Sequence, residues 1–201
     1  METGTANDKN QLYPVFLKLE QLRILLVGGG NVALEKLSSL LSNSPKAKIT
    51  VVAPLVKAEV KELLKSYPDC SIHEREFALN DIENKELIFL ATDNPLLHKE
   101  IKAMAAEKGI LVNVADTPDL CDFYLGSIVQ KGSLKIAIST NGKSPTIAKR
   151  IKELINDIFP KEIDSLLDNM QTIRNKMKGS FQDKVRELNE LTSSMIEENN
   201  S

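Results

Sequence analysis

From Arg23 onward, short β-branched and leucine-rich runs alternate with longer stretches whose apolar residues recur every three or four positions. That alternation is the pattern of strands and amphipathic helices wound into a parallel sheet. Five strands are expected, at 24–27, 49–53, 71–76, 87–91 and 110–114. Runs such as ILLV and LIFLA show no polar alternation, which fits strands covered on both faces. Helices are expected between them at 32–41, 56–66 and 95–108, the last with Leu97, Ile101, Met104 and Ala105 at helical spacing. After Asp116 the rhythm changes. TPDLCDFYLG reads as an irregular connection, and SIVQ and LKIAIST flank the turn KGS as a β-hairpin. From Ser144 to about Asn199 the chain reads as helix. Ile147, Ile151, Leu154, Ile155 and Ile158 form one stripe and Leu166, Leu167, Met170, Ile173 and Met177 another, with Pro160 and Gly179 dividing the region into three helices. Such a tail suits a small bundle or a dimer interface.

Composition narrows the chemistry. The 201 residues carry a formal net charge of -2, with 4% aromatic residues and no Trp, so neither an electrostatic grip on nucleic acid nor base stacking is expected. No segment reaches the roughly 20 apolar residues of a membrane span, and the amino-terminal stretch lacks the pattern of a secretory signal. Cys70 and Cys121 form no CxxC pair, and His73 and His98 stand apart from each other and from both cysteines, so no metal site is expected. A reduced cytoplasm is the expected compartment.

LLVGGGNVALEK places Gly28, Gly30 and Ala33 in a GxGxxA pattern between a strand and a helix. Gly28 permits the tight turn, Gly30 lets backbone approach a pyrophosphate, and Ala33 lets the helix pack close to the strand. The helix N-terminus then offers unpaired N–H groups to phosphate. Gly28, Gly29, Gly30, Asn31 and Val32 are therefore the expected phosphate turn. An acidic residue would ordinarily bind the ribose at the end of the second strand, but that strand ends Val52, Ala53, Pro54. Backbone around Pro54 and Leu55 must hold the ribose instead, and the absence of a basic residue there favours NAD over NADP. Thr92 and Asp93 stand at the end of the fourth strand, where such folds bind ligands; Asp93-Asn94-Pro95 equally suits a helix cap followed by Pro.

Asp116 in NVADTP lies just beyond the fifth strand, at the same sheet edge. A carboxylate there can act as a general base if desolvated, or simply form a turn before Thr-Pro. The loop Ser139, Thr140, Asn141, Gly142, Lys143, Ser144 precedes a helix with Pro145 at its first position, and its small donors and lysine suit an anion cradle; Ser144 also suits a cap.

Taken in order, YPVFLKL, VGGGNVALEK, ATD, NVADTPDLCDF and AISTNGKSPTIAKRI resemble the siroheme synthase family, in its precorrin-2 dehydrogenase and sirohydrochlorin ferrochelatase module. The resemblance runs from about Tyr13 to Ile151. It implies an α/β fold in which a Rossmann-like NAD-binding domain (1–115) is followed by a β-hairpin dimerisation and active-site region (116–145) and a C-terminal helical domain (146–201), assembled as a homodimer. It further implies NAD-dependent oxidation of a tetrapyrrole, precorrin-2, to sirohydrochlorin, with Asp116 as the catalytic carboxylate and residues 139–144 meeting substrate carboxylates. In some members ferrous iron enters as a second substrate. The chain departs from the family at Glu35, His98 and Leu125-Gly126. The competing reading is a noncatalytic NAD sensor with a partner-binding helical half, which needs the glycine turn but neither Asp116 nor the 139–144 loop.

Overall fold

The computed structural model describes residues 10–160 and 163–193. The chain forms two compact units, Met1–Leu125 and Gly126–Ser201.

The first unit is built on a parallel sheet of β1 (Arg23–Val27), β2 (Lys48–Ala53), β3 (Ser71–Glu74), β4 (Leu87–Leu90) and β5 (Leu111–Val114) in the order β3-β2-β1-β4-β5. The chain winds outward from β1 to β3, then returns to lay β4 on the other side of β1. That reversal opens a crevice at the carboxyl ends of β1 and β4, where open parallel sheets bind their ligands. All four residues of β4 and the last four of β1 are buried, as central strands require. Helix α1 (Asn31–Asn43) buries Ala33, Leu37, Leu40 and Leu41, one helical stripe, in the same core as Leu26 and Phe89. Helix α3 (Pro95–Glu107) buries Ile101 and Ala105 in the opposite core with Leu25, Ile88 and Val112. Asn94, rather than Asp93, caps α3: its Oδ1 accepts from the amides of Leu96 (3.2 Å) and Leu97 (3.1 Å).

Two boundaries differ from the sequence expectation for identifiable reasons. β3 ends at Glu74 rather than residue 76, because Arg75 turns to bind Asp81, its Nη2 and Nη1 donating to the two carboxylate oxygens (2.6 and 2.7 Å). Helix α2 (Ala58–Leu64) starts later than residue 56 because Val56 is buried and the Lys57 amide is held by the Gly29 carbonyl at 3.0 Å.

In the second unit, β6 (Ser127–Lys131) and β7 (Leu134–Ile138) form the expected antiparallel hairpin, with Gly132 at φ +52° in its two-residue turn. Helix α4 (Pro145–Ile158) packs on both strands, burying Ala148. Helices α5 (Ile163–Lys176) and α6 (Phe181–Thr192) follow. Asp164 of α5 reaches back to the hairpin, its Oδ1 accepting from the Ser133 amide at 2.7 Å. The expected helical residues 194–199 lie outside the described residues. Among the described residues no helix is long and apolar enough to cross a membrane.

Candidate active site

The three consecutive glycines have three different surroundings. Gly28 has φ +130°, and a Cβ there would run into the carbonyl of Ala91 at the end of β4. A Cβ on Gly29 would run into the Leu55 carbonyl beyond β2. Nothing lies within 4 Å of a Cβ on Gly30, the residue that caps α1. The first two are therefore required by packing, and the third faces open space where a ligand can approach. Main-chain bonds from Gly28 N to Val52 O (2.9 Å) and from Ala91 N to Val27 O (2.8 Å) fix the turn to both neighbouring strands. Pro54 and Leu55 are exposed beside it, and Val32 is partly so. An open cap glycine, unpaired amides at the helix start and exposed apolar residues beside it fit a dinucleotide.

Sequence reasoning overlooked Lys57. Its Nζ donates to Asn31 Oδ1 at 2.6 Å, which brings a cation to the first residue of α1. The signal was present four positions after Ala53, but nothing in the sequence tells that α2 would begin late and turn Lys57 toward Asn31. His98 stands out in the sequence as a departure from the family, but its pairing with Thr92 does not. The histidine is buried, and its Nε2 lies 2.8 Å from Thr92 Oγ1 at the carboxyl end of β4. Burial holds its imidazole below the ordinary histidine range, with Asp93 opposing more weakly. Asp93 itself is exposed.

Asp116 is exposed just past β5 with φ +56°, in the left-handed region that non-glycine residues seldom adopt. Its carboxylate takes no hydrogen bond among the described residues. Below it, Asn113 is 5% exposed and fully engaged: Oδ1 accepts from Lys36 Nζ (2.9 Å), and Nδ2 donates to Phe123 O (2.9 Å). Burial pushes the Lys36 ammonium below the ordinary lysine range, while Cys121, Glu35 and Asp116 pull the other way. Cys121 Sγ lies 3.2 Å from both Val114 N and Val114 O, and 3.5 Å from Thr117 O, closing the turn that carries Asp116. Gly28–Val32, Thr92 and Asp116 thus follow β1, β4 and β5, three adjacent strands, and share one sheet edge.

In the second unit the 139–144 loop is largely bonded to itself. Ser139 Oγ accepts from Asn141 N (3.2 Å), Thr140 O from Lys143 N (3.0 Å), and Thr140 Oγ1 from Ser144 N (3.2 Å). Asn141 (φ +55°) and Gly142 (φ +73°) turn the chain, and Ser144 Oγ caps α4 by accepting from Ile147 N at 3.2 Å. Three of the amides counted on for anion binding are spent inside the loop. Gly142 and Lys143 are exposed at its tip.

Comparison with known proteins agrees with this arrangement. A family model described as "Putative NAD(P)-binding" matches residues 15–127, and one described as "Sirohaem biosynthesis protein central" matches residues 131–158. The chain is 37% identical over 174 residues to a siroheme synthase of Psychrobacter arcticus and 35% identical over 176 residues to one of Ruthia magnifica. Each match covers 87% of this chain but only 30% and 34% of those proteins, so the chain spans about a third of their length. Among solved structures, SirC, a precorrin-2 dehydrogenase, superposes with a TM-score of 0.69 at 26% identity, over 90% of this chain and 89% of that one. The match over residues 15–127, more than half of its length, shows that this chain belongs to the NAD(P)-binding family, and it is related over most of its length to siroheme synthases.

Proposed function

We propose that this protein oxidises precorrin-2 to sirohydrochlorin with NAD, in the formation of siroheme. The observation that carries this reading is the exposed Asp116 carboxylate on the same sheet edge as an open Gly30. The names borne by the siroheme synthases and by SirC support it. When bound, the nicotinamide supplies the hydride acceptor. Gly30 and the first amides of α1 hold the pyrophosphate, and backbone near Pro54 and Leu55 holds the ribose. Asp116 accepts the proton that leaves the tetrapyrrole together with the hydride, and returns it to water. Ser139, Thr140, Asn141, Gly142, Lys143 and Ser144 supply contacts to substrate carboxylates, chiefly through Lys143 and the loop tip.

NAD is the proposed form of the dinucleotide because β2 ends at Ala53 and is followed by the uncharged Pro54 and Leu55, and Lys57 is engaged by Asn31. We further infer a homodimer in a reducing cytoplasm, with residues 1–115, 116–145 and 146–201 serving as cofactor, active-site and helical regions. Ile147, Ile151, Leu154 and Ile158 support the dimer: they form one apolar stripe of α4, and each is at least 37% exposed.

The test is anaerobic incubation with precorrin-2 and NAD, following NADH and the sirohydrochlorin spectrum together. Wild-type protein should produce both, and Asp116→Ala should lose about 100- to 10,000-fold in rate while still binding NAD. Near-normal turnover of Asp116→Ala overturns the role of the carboxylate. NAD binding by the wild type without any spectral change would leave a dinucleotide sensor. Ferrous iron entry into preformed sirohydrochlorin, followed in the same variant, tests whether that carboxylate also receives the pyrrole protons.

A further inference from the structure

We propose that Lys36 is a positioning residue for Asp116, acting through Asn113 to tie the cofactor helix to the turn that carries the base. The inference rests on the reading of Asp116 as proton acceptor and adds what holds it in place.

The chain of contacts is short and continuous. Lys36 projects from α1, about a turn and a half beyond the open Gly30. Its Nζ donates to Asn113 Oδ1 at 2.9 Å, and Asn113 is otherwise buried on a strand of apolar neighbours, Val112 and Val114. Because Asn113 Nδ2 donates to Phe123 O at 2.9 Å, the amide cannot rotate without losing both bonds. Phe123 is itself fixed, its ring meeting Phe89 edge to face at a centroid separation of 5.6 Å. The same amide lies 3.7 Å from Cys121 Sγ, whose contacts with Val114 and Thr117 close the turn. Asp116 sits at the apex of that turn at φ +56°, a left-handed conformation that Asp tolerates in turns, so its direction follows the turn's anchoring. Removing the ammonium strands a buried amide oxygen, and the cheapest relief is movement of Asn113 and the turn above it. A partly buried cation whose hydrogen-bond partner among the described residues is a neutral amide is poorly explained as a stability device, because two apolar groups would fill the space at less cost.

A double-mutant cycle in kcat tests this, using Lys36→Met, Asp116→Asn and the double variant, with Lys36→Arg as the conservative control. Lys36→Met should lower kcat about 10- to 100-fold, the cost of a misplaced catalytic group, while KM for NAD stays within about threefold. Lys36→Arg should restore most of that loss. In the Asp116→Asn background Lys36→Met should cause no further fall, because the group it positions is gone. On the free protein, amide exchange across residues 114–121 should rise in Lys36→Met. An equal fall in both backgrounds, an unchanged kcat, or unchanged exchange each overturns the assignment. If Lys36→Met does not fold, Asn113→Asp takes its place in the same cycle, since it keeps the acceptor and removes the donor to Phe123. Additive losses there overturn the assignment as well. Full activity of Asp116→Asn defeats the base reading itself, whereas an impaired Asp116→Asn with additive losses defeats only the role of Lys36.

Discussion

Lys57 Nζ stands 2.6 Å from Asn31 Oδ1, so the glycine turn is supplied with a positive charge by the loop beyond β2 rather than by its own helix. The cation adds to the field of the α1 N-terminus, where a pyrophosphate is expected. Lys57→Ala should weaken NAD binding about 3- to 10-fold in calorimetry, in keeping with one exposed charge at a helix start. NAD should turn over faster than NADP at matched concentrations. Equal or better turnover with NADP would mean that Lys57 leaves Asn31 for the additional phosphate, and the NAD preference would fall.

Gly28 and Gly30 should fail in different ways. Gly28→Ala meets both a positive φ and the Ala91 carbonyl, and should destabilise the fold by at least about 2 kcal/mol in denaturant titration. Gly30→Val should keep a near-normal Tm and lose NAD binding. Retained affinity in Gly30→Val would make the third glycine a connector only.

His98 gives the first unit a pH dependence with a definite sign. Its folded-state pKa lies below the ordinary value of 6.5 because it is buried. As pH falls through that ordinary value, the unfolded chain takes up a proton that the folded chain refuses. The stability due to the neutral imidazole is therefore complete above the ordinary value and is lost as pH falls toward the folded one. Denaturation free energies measured from about pH 8 to about pH 5 should decline at the acid end, where histidine titrates. His98→Asn should flatten that decline; an unchanged slope would assign it to other groups.

The exposed stripe of α4 predicts self-association. Wild-type protein should sediment as a dimer, and Ile151→Glu combined with Leu154→Glu should shift it to monomer with its helical signal intact. A dimer that survives both charges would place the contact elsewhere.

Most of the fold was legible because periodicity reports burial, and burial decides these elements. The unbroken apolar runs of β1 and β4 and the stripe of α1 needed no tertiary knowledge. Of the candidate site, what the sequence places is position: Gly28 in a turn that demands glycine and Asp116 at a strand end. The three glycines are the same letter in sequence, and only their neighbours from β2 and β4 separate packing from ligand access. The bond between Lys36 and Asn113 escaped for a related reason: its two partners lie 77 residues apart in sequence. Asn113 did leave a trace, as the one polar letter in LVNV.

Asp122 carries a consequence beyond the site. Its amide donates to Val112 O at 2.8 Å and its carboxylate accepts from Val112 N at 2.8 Å, so one residue imitates the strand that would otherwise lie beside β5. Lys102 pairs with the same carboxylate and keeps it in place. An unpaired rim is a template for another chain, and here the template is already taken. While Asp122 holds that place, the folded sheet cannot be extended across β5 from molecule to molecule. Backbone pairing between copies is left to the opposite rim, β3.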